Sequence, residues 1–258
     1  MNYFHPTAIV SPKAKIGNNV KVGPFVIIHD EVEIDDDCEI DSHSVIYDYA
    51  RIGKRVKIFQ SASIANLPQD LKFDKGKTLL TIGDDTTIRE FVTLHRGTHA
   101  TGETRIGKNC LVMAYAHVAH DCHIGNNCIL ANGTQLAGHV EIEDFVILGG
   151  LSAVHQFCKI GKHSMLSGGA MVNSDVPPFI LIFGYPGRYM GLNIIGLRRR
   201  GFTDEEIEAI KESYRLFYLA GLTPAAAKEK ISEKFSDQPH VKSILEFMEK
   251  STRGLVRK

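Results

Sequence analysis

An aliphatic side chain recurs at every sixth residue of this chain, and the frame runs from Val10 to Val172. Of the 28 positions in that frame, 25 are Ile, Leu or Val, and the exceptions are Asp70, Gly76 and Ala100. A helix repeats its apolar face at ~3.6 residues and a strand at ~2, so this period belongs to neither. It is the period of a parallel β-helix, in which each hexapeptide supplies one short strand and one turn. Three hexapeptides close a coil of about 18 residues, and successive coils stack at the inter-strand spacing of ~4.8 Å.

The residue two before each aliphatic is small or β-branched, from Ala8, Ala14 and Val20 through Ser44 to Ala62, and so points inward. All five cysteines (Cys38, Cys110, Cys122, Cys128 and Cys158) fall on it. A free thiol is a small buried hydrophobe. The odd number and unpaired spacing speak against a disulfide framework and for a reducing compartment, the cytoplasm. Turn formers follow the aliphatic residue, as in Gly17-Asn18-Asn19 and Gly125-Asn126-Asn127. Asn and Gly tolerate the backbone angles of a tight corner.

Lys plus Arg equals Asp plus Glu at 30 each, so no global field points to nucleic acid. No apolar run approaches a membrane span. Met1-Asn2-Tyr3-Phe4-His5-Pro6 has neither the basic head nor the apolar stretch of a secretory signal.

The frame lapses over residues 65–80 and 97–104 and returns in phase both times. Insertions in repeat folds map to loops on one face, often the binding face; for the second lapse a plain solvated loop is an equal reading. The hexapeptides end near Val172, and Asp175-Val176-Pro177-Pro178 marks the boundary. Beyond it the period turns helical. Thr203-Asp204-Glu205-Glu206 is a capping box, Thr223-Pro224 opens a second helix, and a third spans roughly Pro239 to Lys250. The expected architecture is mainly β: a β-helix over residues 1–185 and a small α-helical domain over 186–258.

Five of the twelve histidines crowd into a short stretch: His117, His120, His123, His139 and His155. None occupies the aliphatic or the small position. One coil separates His120 from Gly138 and Gly138 from Gln156, which predicts that His120, Gly138-His139 and His155-Gln156 line one corner. His117 and His123 face the same cleft or neighbouring faces. Two chemistries suit such a column. Imidazole is a general base at neutral pH, and three neutral imidazoles bind zinc and generate hydroxide. Asp121 is placed to hold one ring nitrogen of His120 protonated, and Gly138 leaves a bare backbone N–H for a substrate oxygen. Base, orienting acid and oxyanion donor make an acyl-transfer constellation that calls for no cofactor and no metal.

His117-Val118-Ala119-His120-Asp121-Cys122, Gly138-His139, His155-Gln156-Phe157-Cys158, Gly191-Leu192-Asn193 and Arg199-Arg200-Gly201-Phe202 resemble the UDP-N-acetylglucosamine O-acyltransferase family. These enzymes take an acyl chain from acyl carrier protein in the first step of lipid A biosynthesis. The resemblance runs from His5 to Gly254. It implies a left-handed β-helix, a homotrimer with active sites between subunits, and the following roles. His120 would be the general base with Asp121 fixing its tautomer, and the Gly138 N–H would hold the oxyanion. His117, His139 and His155 would contact sugar, acyl chain and diphosphate. Asp70 and Lys72 would bind the sugar and position the donor. Gln156, Asn193 and Arg199 would hold the UDP-sugar, with Arg200 reaching phosphate across a subunit boundary.

Three further expectations follow. Many family members carry an acid two residues after the matching asparagine; here that place is Ile195, which leaves a 3-hydroxyl and a 3-amino acceptor both open. Gly168 matches the family's acyl-chain stop and predicts a long donor, unless a corner merely requires glycine there. Arg198, Arg199, Arg200, Lys211 and Arg215 are candidates for a basic landing site for the acidic carrier.

Overall fold

A computed structural model describes residues 1–74 and 76–258. Among these residues three sheets of 11, 9 and 8 strands, parallel except for the last pair of the first, form the faces of a left-handed β-helical prism. One coil shows the path: Leu111–Val112 lies on the first face, His117–Val118 on the second and His123–Ile124 on the third. Each strand pairs with the next coil in register, as in His117↔Gln135 and Gln135↔Ala153 on the second face. The frame residues fill the prism, with Val22, Ile46, Ile64, Leu94, Val118 and Leu136 all fully buried.

The small inward position has its own chemistry. Its thiols donate to the carbonyl of the residue 15 positions later: Cys38 to Gly53 at 3.0 Å, Cys122 to Ala137 at 3.1 Å and Cys128 to Glu143 at 3.2 Å. Ser44 uses the same acceptor, the Phe59 carbonyl, at 2.9 Å. Cysteine and serine therefore interchange in a dry core, because the coil above presents a carbonyl that would otherwise be capped by nothing. All five cysteines are buried and free.

Corners differ from the expectation of Asn and Gly. Among the described residues, twenty non-glycine positions have positive φ, including Phe91, Tyr115, Asp121, His139, Phe145 and Phe157. A left-handed L-residue costs about 1 kcal/mol or more, and stacking between coils offsets it. Phe91 stacks on Tyr115 at 5.0 Å and Phe145 on His163 at 4.8 Å between ring centroids. The corner is thus a column for side chains of any shape that can stack.

The two lapses loop out of the prism without disturbing it. Across the first, Lys57 pairs with Thr87 and Lys54 contacts Asp84, thirty residues on. Across the second, Thr87 pairs with Leu111 and Asp84 contacts Lys108, twenty-four residues on. The prism also continues past Val172: Ile180–Phe183 adds to the first face and turns back as an antiparallel hairpin with Arg188–Leu192. Four helices follow: α1 (Ile194–Arg199), α2 (Asp204–Tyr218), α3 (Pro224–Lys234) and α4 (Pro239–Lys250). The capping box at Thr203 and the Thr223-Pro224 start are as predicted; α1 has no helical period in the sequence and is set by its Asn193 cap.

A stacked repeat must close its open end, and the helices do so. Tyr214 of α2 is fully buried and its hydroxyl donates to the Pro178 carbonyl at 2.7 Å. Asp175, also fully buried, accepts from the Ser251 hydroxyl at 2.7 Å and the Thr252 N–H at 3.1 Å, which ties the chain's end to the last coil.

Candidate active site

The corner between the second and third faces carries His120-Asp121 in one coil and Gly138-His139 in the next. The His120 Nδ1 lies 2.7 Å from Oδ2 of Asp121, whose side chain has no exposed surface. Asp121 also accepts from the Thr98 N–H at 2.9 Å, the Thr98 hydroxyl at 2.7 Å and the Thr101 hydroxyl, all from the second insertion. Burial alone would raise its carboxyl, yet the hydrogen bonds from Thr101, His120 and Thr98 outweigh it and hold the pKa at about 2. A carboxylate so placed keeps the proton on Nδ1 and leaves Nε2 as the basic nitrogen.

The His120 ring packs against Gly138: a Cβ there would stand 2.7 Å from Cε1 and 2.9 Å from Nε2. Glycine is required by this close approach and not by φ. The Gly138 N–H donates to nothing among the described residues. Above them, His139 stacks on Phe157 at 4.5 Å and meets His120 edge-on at 5.2 Å. Burial lowers the pKa of His139, against the opposing pull of Asp121 and Asp70.

The spacing places His120, His139 and His155 at one corner and leaves His117 and His123 to the same cleft or neighbouring faces; the structure sets His155 apart from the other two. His120 and His139 share the corner. His117 and His155 instead flank a groove of about 510 Å³ on the second face, lined also by Gln135, Met171 and Tyr185. His117 bonds through Nδ1 to the Thr93 hydroxyl at 2.8 Å, and burial, aided by His95, pushes its pKa down to about 4. It is therefore neutral at pH 7. His123 lies beyond the corner on the third face, in register with Glu141. The turn of the coil explains the split, because His117 precedes the corner that carries His120 and His123 follows it. His155 and Gln156 are exposed, and Gln156 stands at the corner itself.

Asp70 acts on His139 from within the same chain, while Lys72 is exposed and its N–H donates to the Asp70 carboxylate at 2.9 Å. Asn193, Arg199 and Arg200 do not join this corner. The Asn193 amide donates to the His163 carbonyl at 3.0 Å and accepts from the Gly196 N–H at 3.2 Å, and Arg200 lies 5.3 Å over the Phe145 ring. His163 and Phe145 belong to the corner between the third and first faces, a different edge of the prism. Gly168 stands at the remaining corner, and the positive φ there belongs to Gly169, so no backbone requirement fixes Gly168.

The basic patch is weaker than its sequence. Lys211 pairs with Glu208 at 3.0 Å, Arg215 with Glu212 at 2.6 Å and Arg198 with Asp204 at 3.1 Å. Helical i,i+3 spacing supplies a local acid to each of the two lysine and arginine residues of α2.

Sequence reasoning missed Thr98, Thr101 and Phe157. The clue was present, since Thr98, Thr101 and Thr104 are three hydroxyls in an eight-residue lapse. Their aim at Asp121 is a matter of loop folding.

Metal ligation fits the corner poorly. His120, Asp121 and His139 bring donor atoms within 4.8 Å of one another. Nδ1 of His120, however, faces the carboxylate, and both carboxylate oxygens already accept hydrogen bonds. An ion would have to displace those donors before it could be held.

The chain has known relatives. Residues 175–256 match the family described as UDP-N-acetylglucosamine O-acyltransferase, domain 2. Residues 13–48 and 103–138 match the bacterial transferase hexapeptide of six repeats. A UDP-N-acetylglucosamine acyltransferase from Bacteroides fragilis is 43% identical, with a TM-score of 0.97 over 98% of this chain and 100% of that one. The Acinetobacter baumannii protein is 41% identical, with a TM-score of 0.96 over 98% of this chain and 99% of that one. The Arabidopsis UDP-N-acetylglucosamine acyltransferase is 32% identical, with a TM-score of 0.89 over 98% of this chain and 100% of that one. Among the described residues no helix is long and apolar enough to cross a membrane. Full-length similarity to these enzymes, on the fold and with the corner described above, places this acyltransferase in the UDP-N-acetylglucosamine acyltransferase family.

Proposed function

We propose that the protein transfers an (R)-3-hydroxyacyl chain from acyl carrier protein to the 3-position of UDP-N-acetylglucosamine, or of its 3-amino analogue, in lipid A biosynthesis in the cytoplasm. The observation that carries this reading is the His120–Asp121 pair, joined at 2.7 Å around a buried carboxylate and seated against Gly138. Nε2 of His120 takes the proton of the acceptor group as that group attacks the thioester carbonyl. The Gly138 N–H receives the developing oxyanion. Collapse breaks the carbon–sulfur bond, and the imidazolium returns its proton to the departing thiolate of the carrier. Asp121 keeps Nδ1 protonated throughout, and the groove flanked by His117 and His155 receives substrate next to this corner.

The separation of Asn193 and Arg200 from that corner supports a homotrimer. If these residues hold the UDP-sugar, they do so for a neighbouring subunit's His120, and the prism edges must meet. Ile195, exposed beside Asn193, keeps ester and amide formation both within this reading.

His120→Ala should lower the transfer rate at least ~100-fold with carrier-bound donor and UDP-N-acetylglucosamine or its 3-amino analogue. Retained activity would remove the general-base assignment. Turnover only with a UDP-2-amino-3-acyl-glucosamine acceptor would move the enzyme to the later N-acylation step of the pathway.

A further inference from the structure

We infer that the insertion over residues 97–104 is a positioning element of the reaction, in which Thr101 and Thr98 hold the Asp121 carboxylate in line with His120. The inference rests on the general-base reading above and deepens it. Its first support is a contrast within the repeat. Asp121 and Asp85 occupy the same left-handed corner slot, with φ of 59° and 60°. Asp85 reaches outward to Arg55 and keeps 40% of its side-chain surface exposed, whereas Asp121 keeps none. The backbone slot does not bury a carboxylate. The insertion does so by folding over it.

The second support is the completeness of the cradle. Oδ1 accepts from the Thr98 N–H and the Thr101 hydroxyl; Oδ2 accepts from the Thr98 hydroxyl and faces the His120 Nδ1. Every strong acceptor direction of the carboxylate is occupied, which fixes both its rotation and its charge. The Asp121 N–H donates in turn to the Thr104 hydroxyl at 2.8 Å. The loop is itself built to hold this shape. Gly102 N–H donates to the Thr98 carbonyl at 2.8 Å, Ala100 N–H to the Thr98 hydroxyl at 3.2 Å, and Gly97 N–H to the Leu79 carbonyl at 3.0 Å. A Cβ at Gly97 would strike the Glu103 backbone at 2.5 Å. At its tip His99 contacts Asp74 of the first insertion, so the same loop links the catalytic corner to the segment that carries Asp70 and Lys72.

Other titratable groups face this pair and belong in any pH argument: His139 at 3.6 Å from Oδ2, with Asp70, His95, His123 and Cys122 around them. None of them donates to the oxygen that Thr101 serves. The positive end of the Thr101 hydroxyl offsets part of the carboxylate's pull on the His120 proton. Without that hydroxyl the carboxylate faces the imidazole with its charge less offset, and the acid limb of the rate profile moves up.

The test is Thr101→Val, which keeps shape and removes the hydroxyl, with Thr101→Ser as its rescue and His120→Ala alongside. Thr101→Val should lower kcat about tenfold through loss of alignment. The KM for UDP-N-acetylglucosamine should stay within about twofold. The acid limb of kcat/KM should rise by about half a pH unit. Thr101→Ser should restore kcat and the limb together. Wild-type kcat and acid limb in Thr101→Val, or a loss that serine does not rescue, overturns the positioning role. A fall in melting temperature with an unmoved acid limb reduces the loop to a structural cover and also overturns it. Should His120→Ala remain active, the general-base reading fails first. An inactive His120→Ala beside a wild-type-like Thr101→Val sinks the cradle alone.

Discussion

Two corners of the same prism, built on the same backbone, meet different fates. At the corner between the third and first faces, side chains of the coil above cap several leading N–H groups, while those of Asp36, Asp84 and Asp144 donate to nothing among the described residues. Asn18 donates to Asp36 at 2.8 Å, Lys54 to Asp84 at 3.0 Å, Lys108 to Asn126 at 2.9 Å and Asn126 to Asp144 at 2.6 Å. The charges left over pair along the ladder, as Lys54 does with Asp36. At the corner between the second and third faces, the equivalent N–H of Gly138 is left uncapped. Its aspartate is turned under an insertion, and the imidazoles of His120 and His139 fill the space a ladder would close. An unspent donor is costly to bury, and the same property makes it available to a substrate oxygen.

This comparison can be broken by adding the missing atom. Gly138→Ala places a Cβ 2.7 Å from the His120 ring and must displace it, so transfer should fall about 100-fold while folding survives. Activity near wild type would mean that the ring's seat against Gly138 is not the reacting geometry. The third corner provides a gentler test, of specificity. Gly168 carries no positive φ and a Cβ there meets only the Gly150 carbonyl, at 3.4 Å, so a side chain can be added without strain in this chain. If the acyl chain ends at Gly168, the wild type favours donors of about 14 carbons or more, and Gly168→Met shifts preference to shorter ones. Each buried methylene contributes ~0.8 kcal/mol, nearly fourfold per carbon. An unchanged chain-length profile in competition assays would place the stop elsewhere, for example in the loop from Tyr185 to Tyr189. The smallest effect belongs to the ladder corner. Asp144→Ala removes a cap from Asn126 and should lower the melting temperature by about 2–4 °C, with transfer activity unchanged. A large loss of activity there would erase the distinction between the corners.

Much of this was legible in the sequence. The period of six named the fold, since Ile, Leu or Val at 25 of 28 frame positions is buried on one side only by a coil of that period. It also assigned the five cysteines to the core, while the capping box at Thr203 and the Thr223-Pro224 start marked the helices. His120, Asp121 and Gly138 were legible as a group because one coil separates them. The breaks came where chain folding departs from the repeat. His155 fell into the groove beside the corner, and His117 took the neighbouring face that its spacing had left open. The acids beside Lys211 and Arg215 lie within one helical turn, and they offset two of the five cations that the sequence suggests.

What the sequence determined by itself is what repeats: the prism, its inward residues, its phase across both insertions and the coil in which each histidine lies. Periodicity converts directly into position, because each coil copies the register of the one below. What only the tertiary structure decided is what happens once. The second insertion buries Asp121 beneath Thr98 and Thr101, and Asn193 and Arg200 come to rest at an edge away from His120. A loop without period has no register to copy, and its path follows from the hydrogen bonds it completes, here those that a buried carboxylate needs in order to stay charged.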